Sequence, residues 1–362
     1  MTPRRLAFLA ATALFALAPT ATAQTTQLPC AVASQQSIGS NEKSLIAQYT
    51  AEGLQLLNSD DPVEVQRGRE RLLTPLRCPD VSASFRVEYG RALDNGLKAA
   101  INSGDAFRAT NALLVAGLVA SNSSLQAIDS AMQSRTESVR ASAAVALQHT
   151  LREQVTGRAR LTTTVAESAI TNAGRRLAAE TSPTVVESMI VALRAAADND
   201  SPLVTQSLKA LGDGAAGAFA KARRDADSDP IAWARAADRT TETLWRATYD
   251  SQVRAVDQAQ SIAASSACAQ ILAYARDRIT DEDREMSDEE RELIAKSIDS
   301  AEAALILIQS KIVGGTPVAK TLADAFRKGP DSFAREADKW IGASGRLTKA
   351  PYRLDAEDLA AE

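Results

Sequence analysis

His149 is the only histidine in the chain. A single imidazole excludes a multi-histidine zinc site, and any Ser/His/Asp triad would have to be built on it. It stands in Leu147-Gln148-His149-Thr150-Leu151, a helix-forming stretch with no sharp turn to present a nucleophile. It therefore reads as a polar residue on a helix surface. Asp281, Asp283, Glu285, Glu289 and Glu292 fall in the register of an EF-hand loop, but that loop turns on a glycine where this chain has Met286. Ser287 followed three residues later by Glu290, among acidic neighbours, spells a helix N-terminus instead. Gly212, Gly214 and Gly217 form a literal G-x-G-x-x-G. A phosphate cradle needs a strand before that motif and a helix after it. Leu203–Leu211 reads as helix, so the glycines are expected in a turn between two helices. Carboxylates abound, yet no pair stands out as a glycosidase acid and base. Aromatic residues make up only 4% of the chain, too few to suggest a sugar-stacking cleft. No catalytic residue, cofactor or metal is assigned from these patterns.

Two other groups of residues have chemistry available to them. Cys30 and Cys78 lie in the N-terminal part and Cys268 far from both. In an oxidising compartment Cys30 and Cys78 are candidates for a disulfide. Closing that loop would stabilise the fold by roughly 4 kcal/mol in the chain-entropy model and pin Thr25–Ser40 to the helical body. Cys268 sits in the Ala-rich stretch Ile262–Ile279 and reads as a small buried apolar residue. Trp233, Trp245 and Trp340 are the scarcest large residues. Trp245 and Tyr249, four apart, share one helix face. Packing explains most tryptophans, but Trp and Tyr also dominate protein-binding hot spots, so this pair is the partner-binding candidate.

The elements that must position these residues are helical. Ala, Leu, Arg, Glu and Gln dominate after Asn41, and no period-2 run of β-branched residues occurs. Short breaks such as Asp61-Pro62, Cys78-Pro79-Asp80 and Ser182-Pro183 place a capping side chain beside a proline, a helix start. Glu137–Leu147 aligns with Pro183–Leu193 forty-six residues later. Val139 matches Val185, Ala143 matches Met189, Ala146 matches Ala192 and Leu147 matches Leu193, all on one helical face. Pro62–Leu72 shares the proline start and the closing leucine. This pattern of polar turn, valine, Ala-rich helix and closing leucine resembles a HEAT-type repeat. The resemblance implies an α-solenoid whose ridge or groove binds other proteins.

The expected fold is therefore all-α: a HEAT-like helical array over residues 41–225, then a long antiparallel helical hairpin over 226–315. Ile294, Ile298, Ala301, Leu305, Ile308 and Ile312 form a heptad-like seam in that hairpin, and Ile294–Ile312 is a candidate surface for homo-oligomers. Short helices and a loose tail are expected over 316–362. Residues 24–40 read as a linker.

Residues 1–23 give an address. Arg4 and Arg5 precede the apolar run Leu6–Leu17, Pro19 breaks it, and Ala21-Thr22-Ala23 fits signal peptidase. The run of about 12 residues is too short for a permanent membrane span, and no later stretch is long and apolar enough for one. Pro29 spoils Gln27-Leu28-Pro29-Cys30 as a lipid-attachment site. Ten lysines against 31 arginines, with abundant alanine, suggest a GC-rich bacterial source and hence a periplasmic or extracellular protein. Asn122-Ser123-Ser124 would be a glycosylation acceptor only in a eukaryotic host. Loss of Arg4 and Arg5 leaves 39 basic residues against 45 acidic ones, a formal charge of −6. No basic stripe is present to bind nucleic acid. The expected function is that of an exported, non-catalytic scaffold that binds a protein partner. A self-assembling envelope protein and an exported hydrolase with dispersed carboxylates are the alternatives.

Overall fold

A computed structural model describes residues 26–197, 201–225, 229–250, 257–281, 284–314 and 318–360. The leader expected at residues 1–23 lies outside them. Among the described residues the chain is all-α, with no strand. Its helices are α1 (Cys30–Ala33), α2 (Ser40–Leu57), α3 (Pro62–Leu73), α4 (Ala83–Ile101), α5 (Ala106–Val119), α6 (Asn122–Ala131), α7 (Glu137–Val155), α8 (Thr163–Ala179), α9 (Pro183–Ala196), α10 (Val204–Ala222), α11 (Pro230–Asp250), α12 (Gln258–Thr280), α13 (Asp288–Ile312), α14 (Leu322–Lys328) and α15 (Pro330–Ile341). Side-chain caps open several of them: Asp61 accepts from the Val63 N–H at 2.9 Å, Asp105 from Phe107 at 2.8 Å and Ser287 from Glu290 at 3.1 Å. Each satisfies an amide that the helix itself cannot.

The packing follows one rule from α2 to α13. Every helix lies against the helix two places before it and two places after it. The even-numbered helices form one row, the odd-numbered helices a second, and neighbours such as α2–α3, α4–α5 and α12–α13 bridge the rows. The sequence repeat maps onto this rule. Its two segments begin α7 and α9, consecutive members of one row, and all eight matched positions are buried. The pattern does not change at residue 225. Helix α11 starts on Pro230 as α9 does on Pro183, and it packs on α9 as α9 packs on α7. The array therefore extends to Ile312 rather than ending at residue 225.

Three corrections follow from the packing. Gly212, Gly214 and Gly217 are not in a turn; they lie inside α10. A Cβ on Gly212 would stand 2.6 Å from the backbone carbon of Ala263 in α12, and one on Gly217 2.7 Å from Cβ of Ala178 in α8. The glycines let α10 approach both neighbours of its row, a requirement that no local pattern reveals. The α12–α13 hairpin is present, but the Ile294–Ile308 part of its seam is buried by the same chain, chiefly against α11. That surface is thus already occupied and is not free to join a second copy. Finally, the tail is not loose: Leu347, Tyr352 and Leu359 are all buried.

Both ends of the array are strapped. Cys30 and Cys78 form a disulfide, with Cα atoms 5.5 Å apart. Around it Arg71 donates to the Thr26 carbonyl at 2.6 Å and Ser82 N–H to the Ala33 carbonyl at 2.9 Å. The segment expected as a linker is thereby fastened to α3 and α4. At the other end α14 packs on α13 and α15 on α12. Glu302 of α13, fully buried, caps α14 by accepting from the N–H groups of Thr321 and Leu322 at 2.9 and 2.8 Å. Among the described residues no helix is long and apolar enough to cross a membrane.

Candidate functional site

The three tryptophans separate cleanly. Trp233 is buried, edge-on to Phe219 at 5.4 Å, and Trp340 is buried beneath the Arg346 guanidinium at 5.0 Å. Both are packing residues. Trp245 is only half-buried and its ring centroid lies 6.0 Å from that of Tyr249, which is 56% exposed. The four-residue spacing on α11 thus brings together the two aromatics named from the sequence.

Trp245 lies in an open groove of about 790 Å³ between α11, α13 and α14. Asp238, Glu242 and Trp245 form the α11 wall, at the spacing that keeps residues on one helix face. Helix α13 supplies Asp288, Arg291, Glu292, Lys296 and Asp299, and α14 supplies Phe326 and Arg327. Ion pairs run along the walls: Glu242 with Arg246 at 2.5 Å, Glu292 with Lys296 at 2.7 Å, and Asp299 with Lys320 at 2.7 Å. Burial, reinforced by the neighbouring Glu242, pushes the Asp238 carboxyl above the usual carboxylate range despite nearby Lys296 and Arg239. An aromatic platform between charged walls can seat a protein segment carrying an apolar side chain and flanking charges. Asp238 and Glu242 were readable from the stripe they form with Trp245. The α13 and α14 contributions depend on tertiary packing and left no sequence signal.

Cys268 is fully buried, and burial alone pushes its thiol up to about 12, so it is inert. His149 is half-buried on α7, and burial, then Arg152, holds its pKa below the ordinary histidine value. Of the EF-hand-like acids, Asp283 lies outside the described residues. Ser287 caps α13, and Glu290 is buried in an ion pair with Arg278 at 2.8 Å. Among the described residues no group of three or more His, Cys, Asp or Glu is placed to hold a metal ion. The glycine motif lies within a helix and has no strand before it.

No protein-family profile and no curated protein matches this chain.

Proposed function

We propose that the chain is an exported, non-catalytic scaffold that binds a protein partner through the groove around Trp245 and Tyr249. The observation that carries this reading is the contrast among the tryptophans: two are sealed in the core, while the third stands half-exposed in a groove beside an exposed tyrosine. Trp and Tyr are enriched among the residues that anchor protein interfaces, and here the two stand together unburied on the array. We read the two-row packing as HEAT-like repeats, which present such surfaces as a class. Export is supported by the leader-like first 23 residues and by the Cys30–Cys78 disulfide, since disulfides persist in oxidising compartments.

The test is a photo-crosslinking amino acid at position 249 in the native host, with and without Trp245→Ala. A reproducible protein adduct that weakens by about thirtyfold in Trp245→Ala, at unchanged helical signal, is the expected result for a hot-spot residue. Adducts indifferent to Trp245, or none at all, would remove the groove from the account.

A further inference from the structure

The chain's own tail lies across the end of α10 and across α12, on the row opposite the Trp245 groove. Arg223 at the end of α10 and Arg276 of α12 have side chains only 3% and 8% exposed. Their guanidinium groups are aimed at the main chain of the tail. Arg223 donates to the carbonyl of Asp358 at 2.7 Å and to that of Ala360, and Arg276 donates to the carbonyl of Leu359. Gln270 adds a 3.5 Å bond to the Asp358 carbonyl. Three successive carbonyls are thus clasped by two buried cations, while Asp277 anchors Arg223 at 2.5 Å.

The tail is held lightly apart from this clasp. Between Asp355 and Ala360 only the Leu359 side chain is buried; Asp355, Glu357, Asp358 and Ala360 are exposed. Tyr352, buried and donating to Gln309 at 3.1 Å, fixes the base of the strap, so the removable part is short. A segment with one buried side chain sits at the low end of local stability. The clasp itself tolerates vacancy poorly. If the tail leaves, Arg223 keeps Asp277 and Arg276 keeps Asp338 at 3.5 Å, but the guanidinium N–H groups that the tail carbonyls accept from lose those acceptors, and a buried donor is expensive to leave unsatisfied. Because the clasp reads carbonyls, another peptide of suitable backbone and anchor satisfies it equally well.

We propose that this clasp of Arg223, Gln270 and Arg276 is a peptide-docking site with the chain's own residues 358–360 as resting occupant. A partner protein's segment of the same chemistry, a leucine between an acidic and a small residue, displaces them. A second copy would exchange one tail for an identical one and gain no contact. A partner that adds contacts elsewhere can overcome the high effective concentration of a tethered tail.

The experiment uses the full-length protein and a labelled peptide with the sequence of Tyr352–Ala360. Leu359→Ala unseats the resident tail, and the loss of one leucine anchor is worth on the order of tenfold to hundredfold. Anisotropy is expected to show the peptide binding Leu359→Ala at least about tenfold more tightly than the wild type. That binding is expected to vanish when Arg276→Gln is added or when the peptide's leucine becomes alanine. Equal binding to wild type and Leu359→Ala, indifference to Arg276→Gln, or no binding to a folded Leu359→Ala would overturn the proposal. A concentration-dependent dimer of Leu359→Ala would overturn it too, by making a second copy the occupant. Amide exchange on the wild type tests the same point without a variant. The Leu359 and Ala360 amides are expected to exchange faster than those of α12 and faster again with peptide present; exchange at the α12 rate refutes a displaceable tail.

Discussion

Glu180 is the residue whose removal tests the account of the array most directly. It sits between α8 and α9, nearly buried, and its two oxygens accept four bonds. Arg140 of α7 reaches it in a fork, Nε at 2.8 Å and Nη2 at 2.9 Å, and the Thr181 and Ser182 amides reach it at 3.0 Å each. Glu180→Ala leaves a guanidinium and two amides short of acceptors. Breaking a buried pair costs about 3–5 kcal/mol, and we take about 3 because Arg140 is 18% exposed and keeps its bond to the Ser134 carbonyl. Unfolding entropy of about 2.1 cal/mol/K per residue makes this a fall of about 4 °C in Tm if the array melts as one unit, and more if a few layers melt alone. The pH dependence carries the sharper signature. Burial pushes the Glu180 carboxyl up, but the Arg140, Ser182 and Thr181 bonds outweigh it and hold its pKa below the ordinary value of 4.5. Its contribution is therefore complete above the unfolded pKa and is lost as pH falls through the folded one. Thermal melts by circular dichroism at neutral pH and at successively lower pH are the assay. Wild type and Glu180→Ala should differ most at neutral pH and converge in acid. A difference that stays constant as pH falls, or a neutral-pH shift within error, would refute the ion-pair reasoning.

Cys30→Ser with Cys78→Ser should lower stability by about 4 kcal/mol in denaturant melts, matched by adding reductant to the wild type, because the bridge closes a loop across 48 residues of separation. Gly212→Val should destabilise by about 3 kcal/mol or more, since even its Cβ would stand 2.6 Å from the α12 backbone; a variant with wild-type Tm would show that α10 and α12 are not so closely packed.

The sequence was most legible where chemistry is local. The Ser287 cap and the proline starts of α3 and α9 are set by residues within one turn, and they formed where the sequence placed them. The Cys30–Cys78 pairing was legible because only three cysteines exist and the third lies far away in an Ala-rich helix. Where the cause is tertiary, no local pattern carries it. Gly212, Gly214 and Gly217 look like a turn to a local reading, because nothing nearby shows that α8 and α12 press against that helix. The continuation past residue 225 was hidden because α11 does not repeat the valine–alanine–leucine face that α7 and α9 share: Trp233 packs on Phe219, and Thr240, Thr241 and Thr243 are buried. The tail looked loose because its anchors, Arg223 and Arg276, are more than 80 residues upstream. At the groove, spacing gave Trp245 and Tyr249, whereas Phe326 and Arg327 reach it only through the folding of α14 onto α13.

The distribution of charge within the array says how a groove made of such helices keeps its shape. Interfaces built from alanine and glycine are smooth, and apolar burial alone discriminates weakly between one register and its neighbour a turn, about 5.4 Å, away. Ion pairs are directional, and here they join separate helices: Arg86 of α4 to Glu153 of α7 at 2.7 Å, Arg176 of α8 to Asp129 of α6 at 3.3 Å, Arg239 of α11 to Glu187 of α9 at 3.8 Å. The Arg86–Glu153 pair is buried, where two charges gain little net stability but tolerate little displacement. A slip of one turn would break each of these pairs and would also carry Gly212 and Gly217 away from the backbones they admit. Register is thus set by ion pairs together with the close approaches at glycine, and stability mainly by apolar burial. Since layers contact only their neighbours, the position of Trp245 relative to Lys296 depends on the α9–α11 and α11–α13 contacts rather than on pairs near the N-terminus. By the same argument a folded Glu180→Ala protein keeps the Trp245 groove intact, and loss of partner capture in that variant would mean that register is transmitted along the row instead of being set layer by layer.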